Sequence, residues 1–146
     1  MVTESISSWD GVGPRNMVLV ADDSEAIRTR LAALVRHVPG VSAVVQAASA
    51  QEVWACLFRV PPRVALIDVH LDDRGGGVLL SQIQKQFPAT VLVALTRYAG
   101  SQLAATYRDC GADHCFDKAT ELEAIIRTVA EAVRPMLNNE DQRETP

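Results

Sequence analysis

Cysteine is scarce: the chain has three, Cys56, Cys110 and Cys115. They are odd in number and form no CxxC pair, so they read as reduced, partly buried thiols and not as a disulfide framework. The three histidines, His37, His70 and His114, are scattered without metal-ligand spacing. Positive charge is thin: 14 Lys and Arg against 18 Asp and Glu leave a net charge of −4, with no basic cluster. The electrostatic footprint of a nucleic-acid binder is therefore missing, and direct DNA binding is not expected. No apolar run approaches the roughly 18 residues of a membrane span, so membrane insertion is not expected either. The opening MVTESISSWDGVG has neither a basic n-region nor an apolar h-region and does not read as a secretory signal. A soluble, cytoplasmic protein is the expectation.

What the sequence does have is 146 residues with 48% hydrophobic content, enough for one well-cored domain and too few for two comfortably. Residues 1–16 read as a flexible leader, 17–134 as the domain, and 135–146 as a short C-terminal tail with no output domain. Within the domain, strands and helices alternate. The run MVLVA is followed by Ile27, Leu31, Leu34 and Val35, which share one helical face. VSAVVQA is a second strand, and Ser49 with Glu52 forms a capping box ahead of a helix that Pro61 and Pro62 stop. VALID is a third strand; after the glycines 75–77, Leu79, Leu80, Ile83 and Phe87 mark a helix ended by Pro88. TVLVAL is a fourth strand, with a helix marked by Leu103 and Tyr107 that Gly111 terminates. DHCF is a weak fifth strand. Thr120 and Glu123 suggest a second capping box, opening a last helix closed by Pro135. Five βα units in succession, with near-continuous apolar strands, predict an α/β protein: a parallel sheet covered by helices on both faces.

In such open sheets the ligand site lies beyond the carboxyl ends of the strands. There the sequence places Asp22 and Asp23 after the first strand, Asp68 at the end of the third, Thr96 after the fourth and Lys118 after the fifth. Each has a plainer explanation alone. Asp22 and Asp23 suit helix capping, Asp68 a turn, Thr96 a structural role and Lys118 a solvated surface. Together they gather three carboxylates, a hydroxyl and an ammonium on one edge. Like charges so close repel, and a divalent cation relieves them; oxygen donors suit Mg²⁺. That gives a reason for VALIDVH to end a buried run on an aspartate.

The pattern resembles the receiver domain of bacterial two-component response regulators over about Met17 to Val133. The matching residues are the acid pair in VADDS, the aspartate in LIDVHL, the threonine in VALT and the lysine in CFDK. GADHCFDKATELE is similar to stand-alone receivers. The resemblance implies a (βα)5 flavodoxin-like fold with a five-stranded parallel sheet, and Asp68 as acceptor of a phosphoryl group from a phosphohistidine. It implies Mg²⁺ bound by Asp23, Asp68 and the backbone carbonyl of His70, with Asp22 acting through water, and Thr96 and Lys118 contacting the phosphoryl oxygens. The implied partners are a histidine kinase or phosphotransfer protein and an unknown downstream protein. The implied role is signalling: a receiver that catalyses phosphoryl transfer to its own aspartate, not an enzyme acting on other substrates.

Four positions depart from the family pattern. Asp72 stands where Pro is usual four residues after Asp68, and Arg97 where a small residue follows the threonine. Cys115 stands at the aromatic switch position and Ala119 where Pro follows the lysine. His70, Arg97 and Tyr98 are large neighbours of Asp68 and Thr96 that would exclude the attacking water if they lay over the site, the alternative being an Arg97 that points to solvent; Tyr98 is also a candidate replacement for the missing aromatic. Three other readings compete, one of them a receiver that no longer needs phosphate and acts as a docking surface. An aspartyl phosphatase would want a second acid two residues after the nucleophile, where His70 stands. An FMN binder would want a Ser/Thr/Gly-rich phosphate loop, where ADDSEA is acidic.

Overall fold

Side chains alternate across a strand, so each apolar run splits its residues between two layers. The structure, a computed structural model, describes residues 16–97 and 101–144. In chain order the elements are β1 (Met17–Ala21), α1 (Glu25–Arg36), β2 (Ala43–Ala47), α2 (Ala50–Arg59) and β3 (Val64–Asp68). They continue with α3 (Gly76–Gln86), β4 (Val91–Thr96), α4 (Ser101–Asp109), β5 (His114–Asp117) and α5 (Leu122–Glu144). A short 3-10 turn, Val69–Leu71, follows β3. The five strands form one parallel sheet in the order β2-β1-β3-β4-β5. On one face Leu19, Val45, Ile67 and Ala94 pack with Val53 and Leu57 of α2 and Leu79 and Ile83 of α3. On the other, Val18, Val20, Leu66 and Val93 pack with Leu31 and Val35 of α1 and Ile125 and Val129 of α5. The parallel sheet with helices on both faces is the one the apolar runs predict, and it has the (βα)5 flavodoxin-like architecture that the resemblance implies.

Local chemistry explains most boundaries, and the exceptions are instructive. Ser24 caps α1 by accepting the N–H of Ile27, so neither Asp22 nor Asp23 is its N-cap. Ser49 accepts the N–H of Glu52, and Glu52 reaches back to the N–H of Ala48. The expected Thr120–Glu123 box gives way to another one. Asp117 accepts the N–H groups of Ala119 and Thr120, while Glu121 accepts the N–H of Asp117. These bonds close the turn between β5 and α5, because the Asp117 carboxylate reaches two turn N–H groups ahead of the first helical residue, Leu122. Pro135 does not close α5, which runs on to Glu144. A proline removes one i→i−4 bond and kinks a helix, but it does not forbid continuation. β2 begins at Ala43, two residues after Val41, because the Val41 N–H is taken by the turn bond to Val38. All of the expected 1–16 leader except Asn16, and Tyr98, lie outside the described residues.

Strand order reverses between β1 and β3, which opens a crevice at their carboxyl ends. α3 is held against the turn beyond β3 by Gly76, where an added Cβ would meet Val69 Cβ at 2.5 Å and Val69 O at 2.6 Å. Alanine ordinarily favours a helix over glycine by about 1 kcal/mol. Here the clashing atoms are backbone or bonded directly to it and cannot rotate away. Gly76→Ala should therefore destabilise by about 1–3 kcal/mol, the usual cost of overpacking. Urea denaturation measures it, and a midpoint equal to or above wild type would show that α3 shifts freely.

Candidate functional site

At the β1–β3 crevice, Asp22 continues β1 by donating its N–H to Ala47 O (3.1 Å), which buries it completely. Its Oδ1 accepts the N–H of Ser24 at 2.8 Å and its Oδ2 accepts Lys118 Nζ at 2.7 Å. Asp68, 1% exposed at the last position of β3, accepts the N–H of His70 on Oδ1 (3.0 Å) and Lys118 Nζ on Oδ2 (3.0 Å). Thr96, also 1% exposed, ends β4, and its carbonyl accepts the N–H of Lys118 at 2.9 Å. That bond seats the lysine across the strand ends. Asp23 alone of the acids is exposed. Asp22, Asp23 and Asp68 each offer a carboxylate oxygen, and these lie within 4.8 Å of one another.

Three carboxylates thus face one ammonium. Burial alone pulls the Lys118 ammonium below its ordinary pKa. The hydrogen bonds it donates to Asp22 and Asp68, together with their charges, outweigh that and hold it above the usual lysine range. Lysine neutralises only part of the acidic charge. The all-oxygen donor set, with one acid facing solvent, fits a hard divalent cation such as Mg²⁺ better than a soft metal. His70 contributes backbone to the turn after Asp68, and its imidazole is exposed.

The departures from the family pattern have physical counterparts. Asp72 accepts three hydrogen bonds from Arg74: its N–H (2.9 Å), Nε (3.1 Å) and Nη2 (2.9 Å). The side-chain bonds from Arg74, more than its charge, hold the Asp72 carboxyl below the usual range. Arg97 is exposed and shares a groove of about 510 Å³ with Ile27, Leu31, Lys118 and Leu122. Cys115 is buried, and burial pushes its thiol up.

Two residues near the site were not singled out from sequence as site residues. Tyr107 of α4 packs against the core, and its phenol is raised first by burial and then by the charges of Cys115, Cys110 and Asp68. Arg28 of α1 donates from Nη1 to the carbonyl of Asp22 at 2.9 Å and from Nε to Gln46 Oε1 at 3.1 Å. A basic residue one turn into the helix after the acid pair was the signal available for Arg28. Tyr107 gave none beyond its helical spacing.

The family model described as "Response regulator receiver domain" matches residues 18–130. The chain belongs to this family. Among curated relatives, the response regulator protein VraR of Staphylococcus saprophyticus is 28% identical over 123 residues, covering 84% of this chain and 57% of that protein. A protein-glutamate methylesterase/protein-glutamine glutaminase of Agrobacterium fabrum is 29% identical over 102 residues, covering 69% of this chain and 29% of that protein. The chain therefore spans about half or less of the length of these relatives. The receiver fold recurs in solved structures. The Francisella response regulator 1452 receiver domain superposes with a TM-score of 0.73 at 21% identity, covering 83% of this chain and 98% of that one. A CheY-like receiver domain protein from Methanospirillum hungatei does so with a TM-score of 0.66 at 25% identity, covering 82% and 98%. No helix among the described residues is long and apolar enough to cross a membrane.

Proposed function

We propose that this receiver accepts a phosphoryl group on Asp68 in a Mg²⁺-dependent reaction and signals by phosphorylation-dependent binding to another protein. The donor is a phosphohistidine on a histidine kinase or phosphotransfer protein. The observation that carries this reading is the state of Asp68. It is a buried carboxylate held at a strand end by the His70 N–H and by an ammonium shared with Asp22, with Asp23 open to solvent beside it.

In the proposed transfer an Asp68 oxygen forms the new O–P bond as the P–N bond to the donor imidazole breaks, its electron pair returning to the ring nitrogen. The His70 N–H fixes the carboxylate so that one oxygen faces the donor. Lys118 shifts its ammonium from Asp68 Oδ2 to an equatorial phosphoryl oxygen while keeping Asp22, and Thr96 supplies a hydroxyl donor to another. Such transfers depend chiefly on alignment and charge neutralisation, which these groups provide. Asp23, Asp68 and the His70 carbonyl would hold Mg²⁺, with Asp22 acting through water, and the ion would supply the remaining positive charge. With no basic cluster on the chain, the output is contact with a protein and not with DNA.

Intact-mass spectrometry after incubation with acetyl phosphate tests the metal requirement. One phosphoryl group should be added with Mg²⁺ present and none when a chelator removes it. Equal labelling in both would overturn the metal-dependent mechanism.

A further inference from the structure

The guanidinium of Arg28 bridges three parts of the fold. It leaves α1, donates Nη1 to the carbonyl of Asp22 beyond β1, and donates Nε to the Gln46 side chain on β2. Gln46 and Arg28 are both partly buried. The bonds use separate donors of one planar group, so the fork fixes where the Asp22 carbonyl lies. The peptide it holds joins Asp22 to Asp23. Asp22 is pinned on its other sides by Ala47 O, the Ser24 N–H and Lys118, whereas among the described residues no hydrogen bond restrains the exposed side chain of Asp23. The direction in which Asp23 leaves the backbone therefore depends on how firmly that peptide is held.

We infer that Arg28, oriented by Gln46, is a positioning residue that sets the Mg²⁺ affinity of the acidic site by fixing the Asp22–Asp23 peptide. This rests on the function proposed above, since it concerns the same metal site. Two physical effects oppose each other. The positive charge of Arg28 disfavours a nearby cation, while the fork pre-organises the ligands. Groups that orient metal ligands are typically worth 10- to 100-fold in affinity. A charge acting in a partly solvated region is screened and contributes less. Orientation therefore wins. Lysine carries the same charge but is a point donor without the planar fork.

The experiment is calorimetric titration of Mg²⁺ alone into the purified chain, wild type against Arg28→Lys, Arg28→Met and Gln46→Leu, with Mg²⁺-free melting recorded for each. All three variants should bind Mg²⁺ about tenfold more weakly. In phosphorylation by acetyl phosphate, the half-saturating Mg²⁺ concentration should rise by a similar factor, with the rate at saturating Mg²⁺ unchanged. A merely structural Arg28 would lower the Mg²⁺-free melting temperature and leave the Mg²⁺ Kd within twofold of wild type, which would overturn the inference. Tighter binding by Arg28→Met, with Arg28→Lys and Gln46→Leu like wild type, would make it a charge effect and equally overturn it. If the wild type itself binds no Mg²⁺, it is the proposed function that fails, and this inference falls with it.

Discussion

Lys118→Met should destabilise the Mg²⁺-free protein by about 3–5 kcal/mol, the usual cost of removing one partner from a buried ion pair. The side chain of Lys118 is 3% exposed and those of its two partners, Asp22 and Asp68, are 0% and 1% exposed. Methionine fills a similar volume, so loss of packing contributes little. What remains is a pair of buried carboxylates with no counter-charge, beside a third. Chemical denaturation gives the value. Mg²⁺ should restore part of the loss, because a ligand of the native state at a hundred times its Kd returns about 2.7 kcal/mol. A variant as stable as wild type without Mg²⁺ would show that the ammonium does not compensate the acids.

Asp23→Ala should abolish the Mg²⁺ response without unfolding anything. The side chain is exposed, and substitutions at such positions usually change stability by no more than about 0.5 kcal/mol. Removing one of three crowded negative charges relieves repulsion, so the Mg²⁺-free variant should melt at or slightly above the wild-type temperature. At ten times its Kd, Mg²⁺ should stabilise the wild type by about 1.4 kcal/mol, a melting shift of about 3–6 °C. The variant should show almost none of that shift. Thermal melting with and without Mg²⁺ decides it, and an undiminished shift in Asp23→Ala would mean that the cation binds elsewhere.

The alternation of strands and helices was legible because buried parallel strands must be apolar on both sides, so MVLVA, VALID and TVLVAL are unbroken runs. The convergence of Asp22, Asp23, Asp68, Thr96 and Lys118 followed from the same logic. A polar residue closing an apolar run falls at a strand end, and parallel strands put all those ends on one side. What escaped depends on competition or on tertiary reach. Thr120 and Glu123 read as a capping box, but it is Asp117 and Glu121 that hold the turn into α5, and sequence does not say which acids and hydroxyls take those N–H groups. Pro135 reads as a stop, although the helix passes through it. Asp72 reads as a missing proline until Arg74 folds back onto it. Arg28 and Gln46 sit 18 residues apart, and only the placement of α1 beside β2 joins them.

The central claim is that Asp68 carries the phosphoryl group, and intact-mass spectrometry of wild type and Asp68→Asn after incubation with acetyl phosphate and Mg²⁺ tests it most directly. Asparagine keeps an acceptor for the His70 N–H and nearly the same shape, but it lacks the anionic oxygen that forms the O–P bond. The expected result is a single added phosphoryl group on the wild type and none on the variant over the same time course; equal labelling of Asp68→Asn would contradict the account.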